Sequence, residues 1–135
     1  VENKYILIVE DSSAQAMASC YLLENKGVEI LWARNGWEGI DLAIQYAPKA
    51  IILDVQMPEI DGFEVCRRLK ADPRTAQIPV IMYTSRDYAP DLMYGLELGA
   101  IDYIPKDSFS GTVLLATLRE LGVFDPDGND NHAPC

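Results

Sequence analysis

The chain has 135 residues, 49% of them apolar, which suits one compact domain with a core of ordinary size. Its 21 acidic residues outnumber 11 basic ones, and a formal charge of -10 repels a phosphate backbone, so direct nucleic-acid binding is not expected. No apolar run approaches the roughly 20 residues of a membrane span, and the start VENKYILIVE has neither the basic opening nor the small-residue cleavage site of a signal peptide, so a soluble, cytoplasmic chain is expected. YILIVE (5–10) is a predicted strand, followed by a helix over 13–26 that closes near Gly27. VEILWA (28–33) precedes a helix over 36–47 with Pro48 just beyond it, and AIILDV (50–55) precedes a helix over 62–71. PVIMYT (79–84) leads to a helix over 88–98 closed near Gly99, and DYIPK (102–106) to a helix over 108–121.

This five-fold alternation has crossover spacing, and the first, third and fourth strands are apolar nearly throughout, as strands covered on both faces should be. A parallel, doubly wound α/β sheet follows. Pro105 lacks a ladder N–H, which places the fifth strand at an edge. Residues 1–122 form the expected domain; 123–135, ending in FDPDGNDNHAPC, read as a flexible tail.

The stretch ILDVQMPEIDG (52–62) begins as a buried strand and then places a carboxylate, Asp54, at its end. In open α/β sheets ligands bind beyond the carboxyl ends of the strands. The first strand ends in Glu10 and Asp11, so if it neighbours the third, three anions converge in one cleft, an arrangement made tolerable by a cation. All-oxygen donors without His or Cys favour Mg²⁺, with Mn²⁺ as a substitute, and leave water positions open for a phosphate. Thr84 closes the fourth strand with a hydroxyl that can donate to a phosphoryl oxygen, and Lys106 closes the fifth with an ammonium that can neutralise developing charge. Asp54 is then the natural nucleophile, forming an acyl phosphate. Singly, each residue has an ordinary reading: Glu10-Asp11 before Ser12-Ser13 as a helix cap, Thr84 as a strand residue, Lys106 as an exposed lysine. Their ordered recurrence at four strand ends is what favours a site.

VEDSS, ILDVQMPEIDG, VIMYTS and GAIDYIPK together resemble the receiver domain of bacterial two-component response regulators, over about residues 4–121. The resemblance implies a flavodoxin-like sheet of order 2-1-3-4-5 with five helices, and phosphorylation of Asp54 by a phosphohistidine on a partner histidine kinase or phosphotransfer protein. It implies Mg²⁺ coordination by Asp11, Asp54 and the backbone carbonyl of Gln56, with Glu10 assisting, and phosphoryl binding by Thr84 and Lys106. It further implies a switch in which Thr84 and Tyr103 move together and alter the surface of helix 4, strand 5 and helix 5. That surface is expected to meet a downstream target or output domain, or a second copy in a homodimer. Gln56 and Arg86 occupy the positions that tune phosphate lifetime in receivers. Receivers commonly carry a cis-linked Pro after the lysine; here Asp107 follows, so the bond is expected to be trans, or strained if cis. Asp107 or Ser108 is the expected cap of helix 5.

Other conspicuous residues have plain readings. Cys20, Cys66 and Cys135 match neither a disulfide framework nor a zinc site and read as two semi-buried helix thiols and a tail thiol. His132, the sole histidine, lies in the tail, so the phosphate donor is another molecule. Trp32 and Trp37 read as covering the sheet and a helix, and Arg67, Arg68 and Lys70 as solvating the third helix. Met93 and Tyr94 read equally as core or as partner contacts. An aspartyl-phosphate phosphatase or phosphotransferase is the alternative function, weakened by Gln56 where such enzymes carry a second Asp. A flavodoxin-like cofactor binder would want a hydroxyl-rich phosphate loop, and DSSAQA is acidic at its entrance. No DNA-binding or enzymatic domain follows residue 122, which leaves a single-domain regulator or a piece of a longer chain as expectations.

Overall fold

The structure, a computed structural model, describes residues 3–124. The strands are β1 (Tyr5–Val9), β2 (Glu29–Ala33), β3 (Ala50–Leu53), β4 (Val80–Thr84) and β5 (Asp102–Pro105); the helices are α1 (Ser13–Leu22), α2 (Gly36–Tyr46), α3 (Gly62–Ala71), α4 (Ala89–Glu97) and α5 (Ser110–Glu120). All pairings are parallel and the order is β2-β1-β3-β4-β5, so β2 and β5 are the edges and Pro105 sits where a missing N–H is tolerated.

Side chains alternate across each strand, and the alternation sorts the core into two layers. Leu7, Val9, Ile51, Leu53, Val80 and Met82 face one way, onto Val65, Cys66 and Leu69 of α3. Ile6, Ile8, Ile52, Ile81 and Ile104 face the other way, onto Cys20 of α1 and Leu114 and Leu118 of α5. Both faces of β1, β3 and β4 are thus dry, which is why these strands carry no polar interruptions until their ends. Among the described residues no helix is long and apolar enough to cross a membrane.

Local differences from the sequence reading have identifiable causes. Helix α1 stops at Leu22 rather than near residue 26, because Asn25 takes a left-handed φ of 59° and Gly27 one of 79°; Gly27 serves the turn into β2 rather than the helix cap. Gly99, at φ 110°, does follow α4 directly. Helix α5 begins at Ser110 rather than 108, since Asp107 spends its carboxylate on the Phe109 N–H (2.7 Å) in the turn before it. Val123 and Phe124, assigned from sequence to the tail, pack against the α1–α5 layer, while 125–135, with His132 and Cys135, lie outside the described residues. Cys20 is buried and disulfide-bonded rather than a half-buried thiol, whereas Cys66 is a free, fully buried thiol that burial pushes up to about 11, so it packs as a small apolar group.

Candidate functional site

The hydrogen-bond ladder carries one residue past the ends of β1, β3 and β5 and so fixes the polar groups that follow. The Glu10 N–H donates to the Ala33 carbonyl (3.0 Å), the Asp54 N–H to Val9 (3.0 Å) and the Lys106 N–H to Thr84 (2.7 Å). With Val9 paired to Leu53, Glu10 and Asp54 become neighbours across the β1–β3 seam. Glu10, Asp11 and Asp54 each offer a carboxylate oxygen, and these oxygens lie within 4.8 Å of one another. Glu10 and Asp54 are buried, at 4% and 7% exposure, whereas Asp11 faces solvent. Buried and exposed carboxylates closing on one point, with oxygen as the only donor type, fit a hard divalent cation.

Lys106 reaches in from the far end of the sheet. Its Nζ donates to Glu10 Oε1 (2.7 Å), stands 3.9 Å from Asp54 Oδ2 and lies 5.3 Å from the Tyr83 ring centre. Burial is the main influence that raises the Glu10 carboxyl above its ordinary 4.5; the hydrogen bond from Lys106 opposes it and the charge of Asp54 adds to it. Glu10 Oε2 also accepts the Ser12 N–H (3.2 Å) and its carbonyl accepts the Trp32 indole N–H (2.8 Å), so Trp32 braces the site from β2. Ser12 caps α1 through the Gln15 N–H (3.2 Å), in keeping with the capping reading of that turn.

The peptide bond after Lys106 is trans. The turn that carries it is tied by Ser110, whose hydroxyl accepts from the Asp107 N–H (3.1 Å) and donates to the Asp107 carbonyl (2.9 Å). Its one proton spent, Ser110 accepts from the buried Tyr83 hydroxyl at 3.0 Å.

Thr84 is completely buried, and its Oγ1 accepts the Arg86 N–H at 3.3 Å. Tyr103 is turned inward, 4% exposed, and its hydroxyl donates to the Arg86 carbonyl at 3.0 Å. Arg86 itself clamps Asp91 on α4, through Nε at 2.8 Å. One residue therefore connects Thr84, Tyr103 and α4, a link that the spacing of side chains in the sequence does not display because two of its bonds are to backbone. Gly95 of α4 gives the Tyr103 ring its room, since a Cβ there would stand 3.0 Å from Tyr103 Cδ2. Gln56 is exposed, its N–H 3.4 Å from Asp54 Oδ1.

Gln15 is the site residue the sequence analysis did not single out: its Oε1 accepts from Lys106 Nζ. The available signal was position, because the first turn of a helix starting right after β1 overlooks the strand ends. Lys70 differs in the opposite sense. It was expected to solvate α3, yet its stem is half-buried and its ammonium donates to the Ala76 (3.0 Å) and Ile78 (2.7 Å) carbonyls.

The family model for the response regulator receiver domain matches residues 6–119. The chain belongs to the response-regulator receiver family. It is 38% identical over 109 residues to the protein PilH of Pseudomonas aeruginosa, covering 81% of this chain and 90% of that protein. Its fold is similar to that of the solved signal receiver domain of a signal transduction histidine kinase from Syntrophus aciditrophicus, with 40% identity, a TM-score of 0.78, and coverage of 87% of this chain and 89% of that one. The solved Mn(2+)-bound form of a response regulator is also similar, at 27% identity and a TM-score of 0.76, covering 85% and 91% of the two chains. Against several other curated relatives, regulators of transcription among them, the chain spans only about half their length, 48% to 51%. A receiver is a signalling module of two-component systems, which take their input from histidine kinases.

Proposed function

We propose that this receiver accepts a phosphoryl group on Asp54 from a phosphohistidine of a partner kinase or phosphotransfer protein. The observation that carries the reading is the meeting of Glu10, Asp11 and Asp54 within 4.8 Å, with the Lys106 ammonium 3.9 Å from Asp54. Glu10, Asp11, Asp54 and the Gln56 backbone carbonyl would hold Mg²⁺, and the solved Mn(2+)-bound relative supports that choice of ion. The ion, when bound, offsets the negative charge of the incoming phosphate. Asp54 supplies the oxygen that attacks phosphorus as the bond to the donor imidazole breaks, leaving the electron pair on that nitrogen. Lys106, already drawn toward the cleft by Glu10 and Gln15, compensates the third negative oxygen.

Thr84 receives the phosphoryl group by giving up its contact with Arg86, and the Arg86 peptide passes that change to Tyr103 and, through Asp91, to α4. Arg86 and Gln56 would tune phosphate lifetime from the rim. The responsive surface is α4, β5 and α5, where Met93 (58% exposed) and Tyr94 (47%) supply apolar area for a target or a second copy. The chain acts as a cytoplasmic phosphoacceptor rather than a turnover enzyme. Incubation with acetyl phosphate tests this: uptake of one phosphoryl group, labile to hydroxylamine, is expected with Mg²⁺ and none with a chelator, whereas uptake indifferent to Mg²⁺ would count against the three-carboxylate site.

A further inference from the structure

Away from the strand ends, an open groove of about 620 Å³ runs between α2 and α3. Trp37, Ile40 and Ile44 of α2 form one wall; Arg67 and Arg68 of α3, with Arg74 beyond it, form the other. Three of the chain's six arginines thus gather at one apolar trough in a protein whose net charge is -10. Trp37 is 45% exposed, and the Arg68 guanidinium stacks over its ring at 4.9 Å.

The guanidinium groups are oriented without being used up. Glu64 accepts from Nε and Nη2 of Arg67 and, at 2.8 Å, from Nε of Arg68; Asp72 accepts from Nε (3.1 Å) and Nη2 (2.8 Å) of Arg74. Hydrogen bonding from Arg67, then Arg68, pulls Glu64 down to about 2, so this bracket stays ionised. The two terminal nitrogens of Arg68 make no hydrogen bond among the described residues, and they form the fork that fits a carboxylate in two places.

We propose that the α2–α3 groove docks an acidic, amphipathic segment of a partner protein, with an apolar side chain seated on Ile40 and Ile44 and a carboxylate held by Arg68. Three features select this occupant. The trough is open to solvent rather than enclosed, which suits side chains carried by a larger partner better than a small molecule that needs enclosure. Tryptophan and arginine are the residue types that dominate binding energy at protein interfaces. The strongly negative overall charge disfavours polyanions, so a ligand with few carboxylates and much apolar surface fits better than a nucleotide. The groove is separate from Asp54, and the proposal stands apart from the phosphorylation reading.

The test is titration of the ¹⁵N-labelled chain with a short capped Leu-rich peptide carrying two Glu residues, followed by the Trp37 indole and Arg68 Nε–H resonances. Both are expected to shift, and binding should weaken as salt rises from about 50 to about 300 mM. Arg68→Gln and Trp37→Ala should each weaken binding about tenfold, with Arg74→Gln as a second charge variant and melting curves to show that all three fold. Asp54→Asn should bind like wild type. The proposal is overturned if no resonance moves, if shifts map to another face, or if a Lys-Leu peptide binds equally well. It is also overturned if ATP or inorganic phosphate shifts the same resonances as strongly, which would make the groove a small-anion site.

Discussion

Asp54→Asn is expected to abolish phosphoryl uptake from acetyl phosphate while making the metal-free protein more stable. The first effect follows because a carboxamide offers no nucleophilic oxygen for the acyl phosphate and one ion ligand is lost. The second follows from crowding, since Asp54 and Glu10 are both buried and their oxygens share a 4.8 Å cluster with Asp11. Removing one of three mutually repelling charges should gain about 1 kcal/mol, or a few degrees in melting temperature, and added Mg²⁺ should shrink that difference. Asp54 also sits 3.9 Å from Lys106, which offsets part of the repulsion and keeps the expected gain small.

The pH dependence gives this effect a sign of its own. Burial, opposed by Lys106 and reinforced by Asp54, raises the Glu10 carboxyl above its ordinary 4.5, so the folded state holds that proton more tightly than the unfolded chain. The Glu10 contribution to stability is therefore complete below 4.5 and is lost as pH rises through the raised value. Asp54→Asn should flatten that loss. Thermal melts across mildly acid pH check it: a wild-type slope no steeper than that of the variant would contradict coupling between the two carboxylates.

Gly62→Ala should be the most damaging substitution outside the cluster itself. A Cβ at Gly62 would stand 2.2 Å from the Asp54 carbonyl oxygen and 2.8 Å from the Val55 Cα, both backbone atoms that no rotamer change can move. Gly62 also donates its N–H to the Val55 carbonyl at 2.9 Å as α3 begins, with Asp61 capping the helix through the Glu64 N–H. The start of α3 must therefore retreat from the end of β3, at an expected cost of about 3 kcal/mol, roughly 10 °C in melting temperature. Phosphorylation should fall with it, because the displaced segment carries Asp54. Gly95→Ala is the comparison: its new methyl meets a ring carbon of Tyr103 at 3.0 Å, which a side chain can relieve. Its cost should stay below about 1.5 kcal/mol. Equal melting temperatures for the two variants would contradict the backbone-contact argument.

The sheet was legible because two-sided burial leaves a blunt trace: β1, β3 and β4 must be apolar on both faces, and the first polar residue after them marks the strand end. Glu10, Asp54 and Thr84 were readable for that reason, since each is a buried polar group where the apolar run stops. Gln15 was not, because an exposed glutamine on a helix gains meaning only from what the first turn of α1 overlooks. Arg86 acts chiefly through its peptide group, and side-chain identity carries no trace of that. Lys70 misled because a lysine with a covered stem reads like any surface cation. The α2–α3 groove likewise arises from how two helices pack, and its arginines stand in sequence as an ordinary solvated face.

The central claim, that Asp54 itself becomes the acyl phosphate, is tested most directly by borohydride reduction of the protein after acetyl phosphate and Mg²⁺ treatment. Reduction converts an aspartyl phosphate to homoserine, so residue mapping of the tryptic fragment 50–67 should find homoserine in place of Asp54 and nowhere else. An intact Asp54 in protein that has taken up phosphate, homoserine at Asp11 or another aspartate, or the longer alcohol hydroxynorvaline at Glu10 or another glutamate, would contradict it.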